Sequence, residues 1–171
     1  KKFHNRADCT LVPTEELRQQ LTEQGFSDIR VSTRGIDTKL FSPEKRCDSL
    51  RTSWGVRCDE QAVIYVGRLA PEKNLPLAIE AFDTMRKLNP ALRLIIVGDG
   101  PLYSKLNQPG GEIIFCGEKK GEELAKHYAS ADIFLFPSKT ETFGNVVPEA
   151  MASGLAIVAY DYAAPRAMIQ H

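Results

Sequence analysis

From residue 62 onward the chain alternates between two periodicities, and that alternation constrains its fold more than any other feature. Short apolar runs rich in β-branched and aromatic residues occur at AVIYVG (62–67), RLIIVG (93–98), EIIFCG (112–117), DIFLFP (132–137) and LAIVAY (155–160). Helix-like segments separate them: LPLAIEAFDTMRKL (75–88), PLYSKLN (101–107), EELAKHYASA (122–131) and NVVPEAMAS (145–153). In the first of these, Leu77, Ala78, Ala81, Phe82, Met85 and Leu88 recur at helical spacing and form one apolar face. The strand-like runs are continuously apolar, as expected where helices cover a parallel sheet on both faces. The expected class is therefore α/β with a doubly wound parallel sheet, which binds ligands at the carboxyl ends of its strands.

The first 60 residues are less regular. CTLVP (9–13) predicts a short strand, TEELRQQLTEQG (14–25) a helix capped by Thr14 and stopped at Gly25, and DIRVSTRG (28–35) another strand. The polar, turn-rich segment GIDTKLFSPEKRCDSLRTSWG (35–55) fits a linker or domain crossing, with Leu50 and Trp54 on a short helix and Trp54 as a packing residue. The 171 residues suit one domain with a substantial core. A formal net charge of zero gives no basic excess for a nucleic-acid partner. No stretch approaches the roughly 18 apolar residues that span a bilayer. Cys9, Cys47, Cys58 and Cys116 lack the close pairing of a zinc site, and Cys116 is expected as a buried reduced thiol. A reducing, cytoplasmic setting fits these cysteines. The chain begins at KKFHNRAD without a methionine and stops at MIQH soon after a new helix starts, so a longer parent is expected.

Three constellations carry chemistry. In SKTETFGNVVPEAMASG (138–154), Glu141 and Glu149 enclose seven residues, including a Phe143-Gly144-Asn145 turn and Pro148. A helix starting there, directly after a strand, would present the bare amides of Phe143, Gly144, Asn145 and Val146 to an anion. The flanking carboxylates suit sugar hydroxyls. A capped helix with two solvated acids would account for a lone pair at this spacing; its position after a strand and the Phe-Gly turn favour the binding reading. In YVGRLAPEKN (65–74), Gly67 ends a strand, and Arg68 and Lys73 follow as a planar fork and a point charge suited to a diphosphate. A charged surface loop with Glu72 pairing one of the cations is the plainer alternative. In FCGEKK (115–120), the backbone of Glu118 and Lys119 could read the edge of a planar base, while Gly98 and Gly100 in VGDGP (97–101) are expected to serve a tight turn. His4, His127 and His171 are scattered, with His127 expected at the surface or partly packed, and no metal site, nucleophile elbow or phosphate-loop lysine is present.

With GRLAPEKN, VGDGPL, FCGEKK and ETFGNVVPEAMASGLAIVAYD in this order, the chain resembles the retaining glycosyltransferases of the GT-B fold, those with the Glu-x7-Glu motif (glycosyl transferases group 1). Residues 60–171 match almost throughout the C-terminal, donor-binding domain. The resemblance implies a Rossmann-like half of a two-domain enzyme. Residues 1–45 would be the tail of the N-terminal acceptor domain with the interdomain crossing, and 46–171 a donor-binding domain truncated at its C-terminus. It implies that Arg68 and Lys73 contact the donor's diphosphate, and that Gly67 lies beside them. Glu118 and Lys119 would hold the nucleobase, Glu141 would stand near the transferred sugar and Glu149 would bind the ribose hydroxyls. Phe143, Gly144, Asn145 and Val146 would form the phosphate and sugar cradle.

The implied reaction transfers a hexose from a UDP- or GDP-linked sugar to an acceptor hydroxyl with retained configuration, with no cofactor and no metal. The acceptor, a saccharide or a lipid, would be met through the missing N-terminal domain. A lipid acceptor would bring the longer protein to the inner face of the cytoplasmic membrane as a peripheral partner. The chain alone is expected to bind nucleotide weakly and to have negligible transferase activity. One departure is YDYAAPRAM (160–168), where the family often has a glycine pair and an acid. The alternatives are a GT-B-fold sugar-nucleotide epimerase or phosphorylase, and a non-catalytic nucleotide-sensing module.

Overall fold

A computed structural model describes residues 2–32, 35–107, 111–138, 145–160, 165–166 and 169. Two parallel sheets are present. The smaller pairs β1 (Thr10–Val12) with β2 (Ile29–Val31) across α1 (Glu15–Glu23). Thr14 caps α1 as expected, its hydroxyl accepting from the Leu17 amide at 3.2 Å, and Gly25 follows in the left-handed conformation at φ 78°. The segment up to α2 (Asp48–Ser53) then leads into the larger sheet.

The larger sheet is built from β3 (Ala62–Val66), β4 (Arg93–Val97), β5 (Ile113–Gly117), β6 (Ile133–Phe136) and β7 (Ala156–Ala159), in the spatial order β5-β4-β3-β6-β7. Every pair is parallel. The intervening helices are α3 (Leu75–Leu88), α4 (Tyr103–Leu106), α5 (Gly121–Ser130) and α6 (Val146–Ala152). The chain begins at the central strand, builds outward to β5, then returns to place β6 on the other side of β3. That reversal puts a topological switch point between the carboxyl ends of β3 and β6, where open α/β sheets bind ligands. Among the described residues no helix is long and apolar enough to cross a membrane.

Strand alternation splits the core into two layers. Ile64, Val66, Ile95, Val97, Phe134 and Phe136 face α5, α6, Trp54 and Phe41. Val63, Tyr65, Leu94, Ile96 and Leu135 face Leu75, Ala78 and Phe82 of α3. All five residues of β3 are buried. Val63, Ile64 and Val66 each contribute roughly 1.5–3 kcal/mol by leaving water. Trp54 lies in the core as a packing residue, and Cys116 is a partly buried free thiol whose pKa burial pushes up.

The turn-rich segment before β3 is clamped to the amino end of the sheet by one carboxylate. Asp132 accepts from the Ala62 amide at 2.7 Å and from Arg51 at 3.0 Å through one oxygen, and from Arg46 at 3.1 Å through the other. Arg51, with its side chain only 3 % exposed, also donates to the carbonyls of Ser130 at 2.7 Å and Glu60 at 2.6 Å. Phe41 packs edge-on against Tyr128 nearby, with ring centroids 5.9 Å apart.

His127 is more deeply buried than the surface or partly packed position expected for it. Its ring lies 5.7 Å from that of Trp54, and Nδ1 is 2.6 Å from the Glu123 carbonyl oxygen one turn back on α5. The periodicity of α5 turns this position inward against α2, an element that the sequence pattern did not place there.

Two measurements test this packing. Asp132→Ala strands the Arg51 charge, so urea unfolding is expected to show a loss of about 3–5 kcal/mol. Burial holds the His127 pKa below its ordinary value. As pH falls through about 6.5 the unfolded chain takes up a proton that the folded chain resists, so stability falls with pH in that range. Unfolding at pH 7.5 and 6.0 is expected to show this drop in the wild type and a smaller one in His127→Gln.

Candidate functional site

The carboxyl ends of β3, β4 and β5 do not simply splay into loops. Their backbones stay paired past the last strand residues: the Gly67 amide donates to the Val97 carbonyl at 3.0 Å, Leu69 to Asp99 at 2.9 Å, and Gly98 to Gly117 at 2.9 Å. The β4 turn then folds back, with the Leu102 amide donating to the Leu69 carbonyl at 3.0 Å. This close approach is the reason for Gly98 and Gly100, rather than the tight turn alone. A Cβ on Gly98 would overlap the Gly67 carbonyl oxygen, and one on Gly100 would lie 2.6 Å from that of Leu69.

Above this stitched backbone is an open cleft of about 540 Å³ lined by Val66, Gly67, Arg68, Val97, Gly98, Asp99, Gly100, Glu118 and Lys119. Its floor is main chain and its walls are two cations and two acids. Glu118 pairs with Lys120 at 3.1 Å, and Asp99 accepts from the Gly100 amide at 2.7 Å. Neither Arg68 nor Lys119 forms an ion pair among the described residues. A floor of amides and carbonyls lets a planar or phosphorylated ligand approach the backbone closely, while mobile cations can reach it from the side.

Of the residues singled out in the sequence, this cleft brings together Gly67, Arg68, Glu118 and Lys119. Lys73, Asn145, Val146 and Glu149 stand outside its lining. Lys73 ends the short 3-10 turn that joins β3 to α3. The next residue, Asn74, adopts the left-handed conformation at φ 54°, and its side-chain amide reaches the Pro137 carbonyl at the end of β6, at 3.5 Å. That contact bridges the switch point. Asn145 and Val146 open α6, with Asn145 as its N-cap. Glu141, Phe143 and Gly144 lie outside the described residues, as does most of the 160–168 loop.

Glu149 is half-buried one turn into α6. Desolvation pushes its carboxyl pKa up, against a hydrogen bond from the Tyr128 hydroxyl to Oε2 at 3.0 Å that lowers it. Two neighbours of the site carry no role in the sequence reading, Asp99 and Tyr128. Asp99 lies between the two glycines of VGDGP, and Tyr128 lies on α5, where only the need of a buried hydroxyl for a partner hints at a polar role. No group of three or more His, Cys, Asp or Glu side chains gathers as a metal site among the described residues.

Comparison with known proteins places this architecture. A family model described as "Glycosyl transferases group 1" matches residues 48–171. A GDP-mannose-dependent alpha-mannosyltransferase of Mycobacterium tuberculosis is 38 % identical over 172 residues, covering 99 % of this chain and 43 % of the relative. The sulfoquinovosyl transferase of Arabidopsis thaliana is 37 % identical over 163 residues, covering 92 % of this chain and 31 % of the relative. The chain thus spans less than half the length of the curated relatives it matches. Among solved structures, Anabaena HepE in complex with UDP and glucose shares the fold at TM-score 0.80 and 22 % identity, covering 99 % of this chain and 49 % of that one.

The backbone stitching makes a sharp prediction. Gly98→Ala is expected to lower the unfolding free energy by about 1–3 kcal/mol, the scale of an overpacked contact. Gly111→Ala, where a Cβ has nothing within 4 Å, should change it by less than about 0.5 kcal/mol. Paired urea titrations of the two variants check this.

Proposed function

Because the chain belongs to the glycosyl transferases of group 1, we propose that it is the donor-binding part of an enzyme that moves a hexose from a nucleoside-diphosphate sugar to an acceptor hydroxyl, with retention. The observation that carries this reading is the cleft at the β3, β4 and β5 ends, with Gly67, Arg68, Glu118 and Lys119 around a backbone floor. In the proposed pose the base lies over the Glu118–Lys119 turn of β5. The diphosphate crosses the end of β3 within reach of Arg68 and Lys73. The sugar extends toward the β6 loop, where Glu141 is assigned to it and Phe143, Gly144, Asn145 and Val146 to the phosphate and sugar cradle. Glu149 is assigned to the ribose hydroxyls.

In the proposed reaction the bond between the sugar's anomeric carbon and the diphosphate oxygen breaks. A bond to the acceptor oxygen forms, and the acceptor hydroxyl's proton passes to the departing diphosphate oxygen. Negative charge grows on the departing diphosphate. Arg68 and Lys73 stabilise it, an electrostatic contribution of the kind that is often the largest in catalysis. We assign this charge to side chains rather than to a metal ion.

The remaining assignments extend beyond this chain's own site. Residues 1–45 are assigned to the tail of an acceptor domain and the crossing, and 46–171 to the donor domain. The clamp of Arg46 and Arg51 on Asp132 falls at that boundary. The donor is UDP- or GDP-linked, and the names of the mannosyl and sulfoquinovosyl relatives favour transfer over epimerisation or sensing. The acceptor is a saccharide or a lipid, and the longer protein works in the cytoplasm, at the inner membrane face where the acceptor is a lipid.

Calorimetric titration of GDP, UDP and ADP into the 171-residue chain tests the reading. One nucleotide is expected to bind best, and Arg68→Ala to weaken it about tenfold or more, the worth of a charge-assisted hydrogen bond. Unchanged affinity in Arg68→Ala would remove the diphosphate from this cleft.

A further inference from the structure

Tyr128 combines complete burial with a polar end. Its ring is fully enclosed, packed edge-on against Phe41 and Phe134 with centroids 5.9 Å away in each case. A phenylalanine would fill that space without bringing in a hydroxyl that must find a partner. The hydroxyl has one: it donates to Glu149 Oε2 at 3.0 Å, across the gap between α5 and α6.

The helix directions make this contact reachable. α5 starts just after β5 and runs back toward the amino end of the sheet. Side chains on a helix lean toward its N-terminus, so that of Tyr128 leans toward the carboxyl end, where α6 begins. Glu149 lies within the first turn of α6 and is met there.

We propose that Tyr128 is a positioning residue: its hydroxyl holds one oxygen of Glu149 so that the other is presented to the donor's ribose hydroxyls. The inference rests on the assignment of Glu149 to ribose. A half-buried glutamate has several rotamers and loses part of its hydration, so by itself it would not be fixed and its charge would be less well solvated. A single donated hydrogen bond from a ring that cannot move addresses both difficulties. Burial raises the Glu149 pKa and the Tyr128 bond opposes that rise. The tyrosine itself stays protonated, since burial and the adjacent carboxylate push its pKa well above the ordinary phenol value. It is therefore a permanent donor, and Oε1 of Glu149 makes no hydrogen bond among the described residues.

The test compares whichever of GDP and UDP binds the chain better with the 2′,3′-dideoxy form of the same nucleotide, by calorimetry on the 171-residue chain and its variants. The wild type is expected to prefer the nucleotide that keeps its ribose hydroxyls. Tyr128→Phe should lower the affinity of that nucleotide about tenfold, the loss of one hydrogen bond to a charged group, while leaving the dideoxy compound within about twofold. A purely structural tyrosine would move both ligands alike, or neither, and that result overturns the inference. Glu149→Ala separates the two levels of the reading. If it abolishes the preference and Tyr128→Phe keeps it, the positioning role fails and the ribose assignment stands. If the wild type shows no preference or binds neither compound, or Glu149→Ala retains the preference, the ribose assignment fails and the inference falls with it. Thermal melts establish that each variant is folded. Should Tyr128→Phe not fold, Tyr128→Met, an adaptable apolar filler without a hydroxyl, carries the same expectations.

Discussion

The structure depends on a central strand that meets water on neither face. All of β3 is buried, and its backbone groups are satisfied by β4 on one side and β6 on the other. No charged side chain stands on this strand, and the Tyr65 hydroxyl on it donates to the Arg68 carbonyl at 3.3 Å; the charged groups lie at one end or the other. At the carboxyl end the pairing does not stop with the strand. It continues through Gly67, Leu69 and Asp99, because the facing chain has glycine at 98 and 100 and can come close enough. The cleft owes its main-chain floor to that continuation. Side chains enter it only from the walls, at Arg68, Asp99, Glu118 and Lys119.

The two ends of the sheet treat charge in opposite ways. At the amino end, Asp132 is saturated: two arginines and a backbone amide share its oxygens, and Arg51 finds two carbonyls besides. A buried network of this kind fixes geometry and leaves nothing to offer a ligand. At the carboxyl end the groups are more exposed and less completely paired. Stability and binding are thus separated along the strand direction, and the segment before β3 is anchored at the end where it cannot obstruct the cleft.

The fold was legible because buried parallel strands and amphipathic helices leave unmistakable patterns. LPLAIEAFDTMRKL became α3 over the same residues, and all five apolar runs became the five strands. The strand-end motifs were legible in part: a glycine closing an apolar run marks a turn at the edge where such sheets bind ligands, although the Arg68 turn taken alone also fitted a charged surface loop. Gly67, Arg68, Glu118 and Lys119 met in one cleft although they come from turns 50 residues apart in the chain. What stayed hidden depends on pairings between helices. His127 and Tyr128 are neighbours on α5, yet one packs on Trp54 of α2's end and the other bonds Glu149 of α6. Nothing in EELAKHYASA specifies which helix each side chain will meet. Gly98 has a reason beyond the expected turn, because the backbone that comes close to it belongs to a different strand.

Tyr128 shows why core and site cannot be treated as separate inventories. Leaving a hydroxyl unpaired in an apolar interior costs about 1–3 kcal/mol, enough to select against tyrosine where phenylalanine would fit. Here the cost is offset by Glu149, whose carboxylate the same bond stabilises against the desolvation that raises its pKa. The pair therefore couples the packing of α5 to the orientation of α6, the helix that opens from the β6 end of the switch point. A change that shifts α5, even one far from the cleft such as a disturbance at Trp54 or Phe41, would be felt first as a change in where the Glu149 carboxylate points. In the proposed arrangement, apolar packing around the Tyr128 ring acts on that carboxylate through the single hydrogen bond at 3.0 Å.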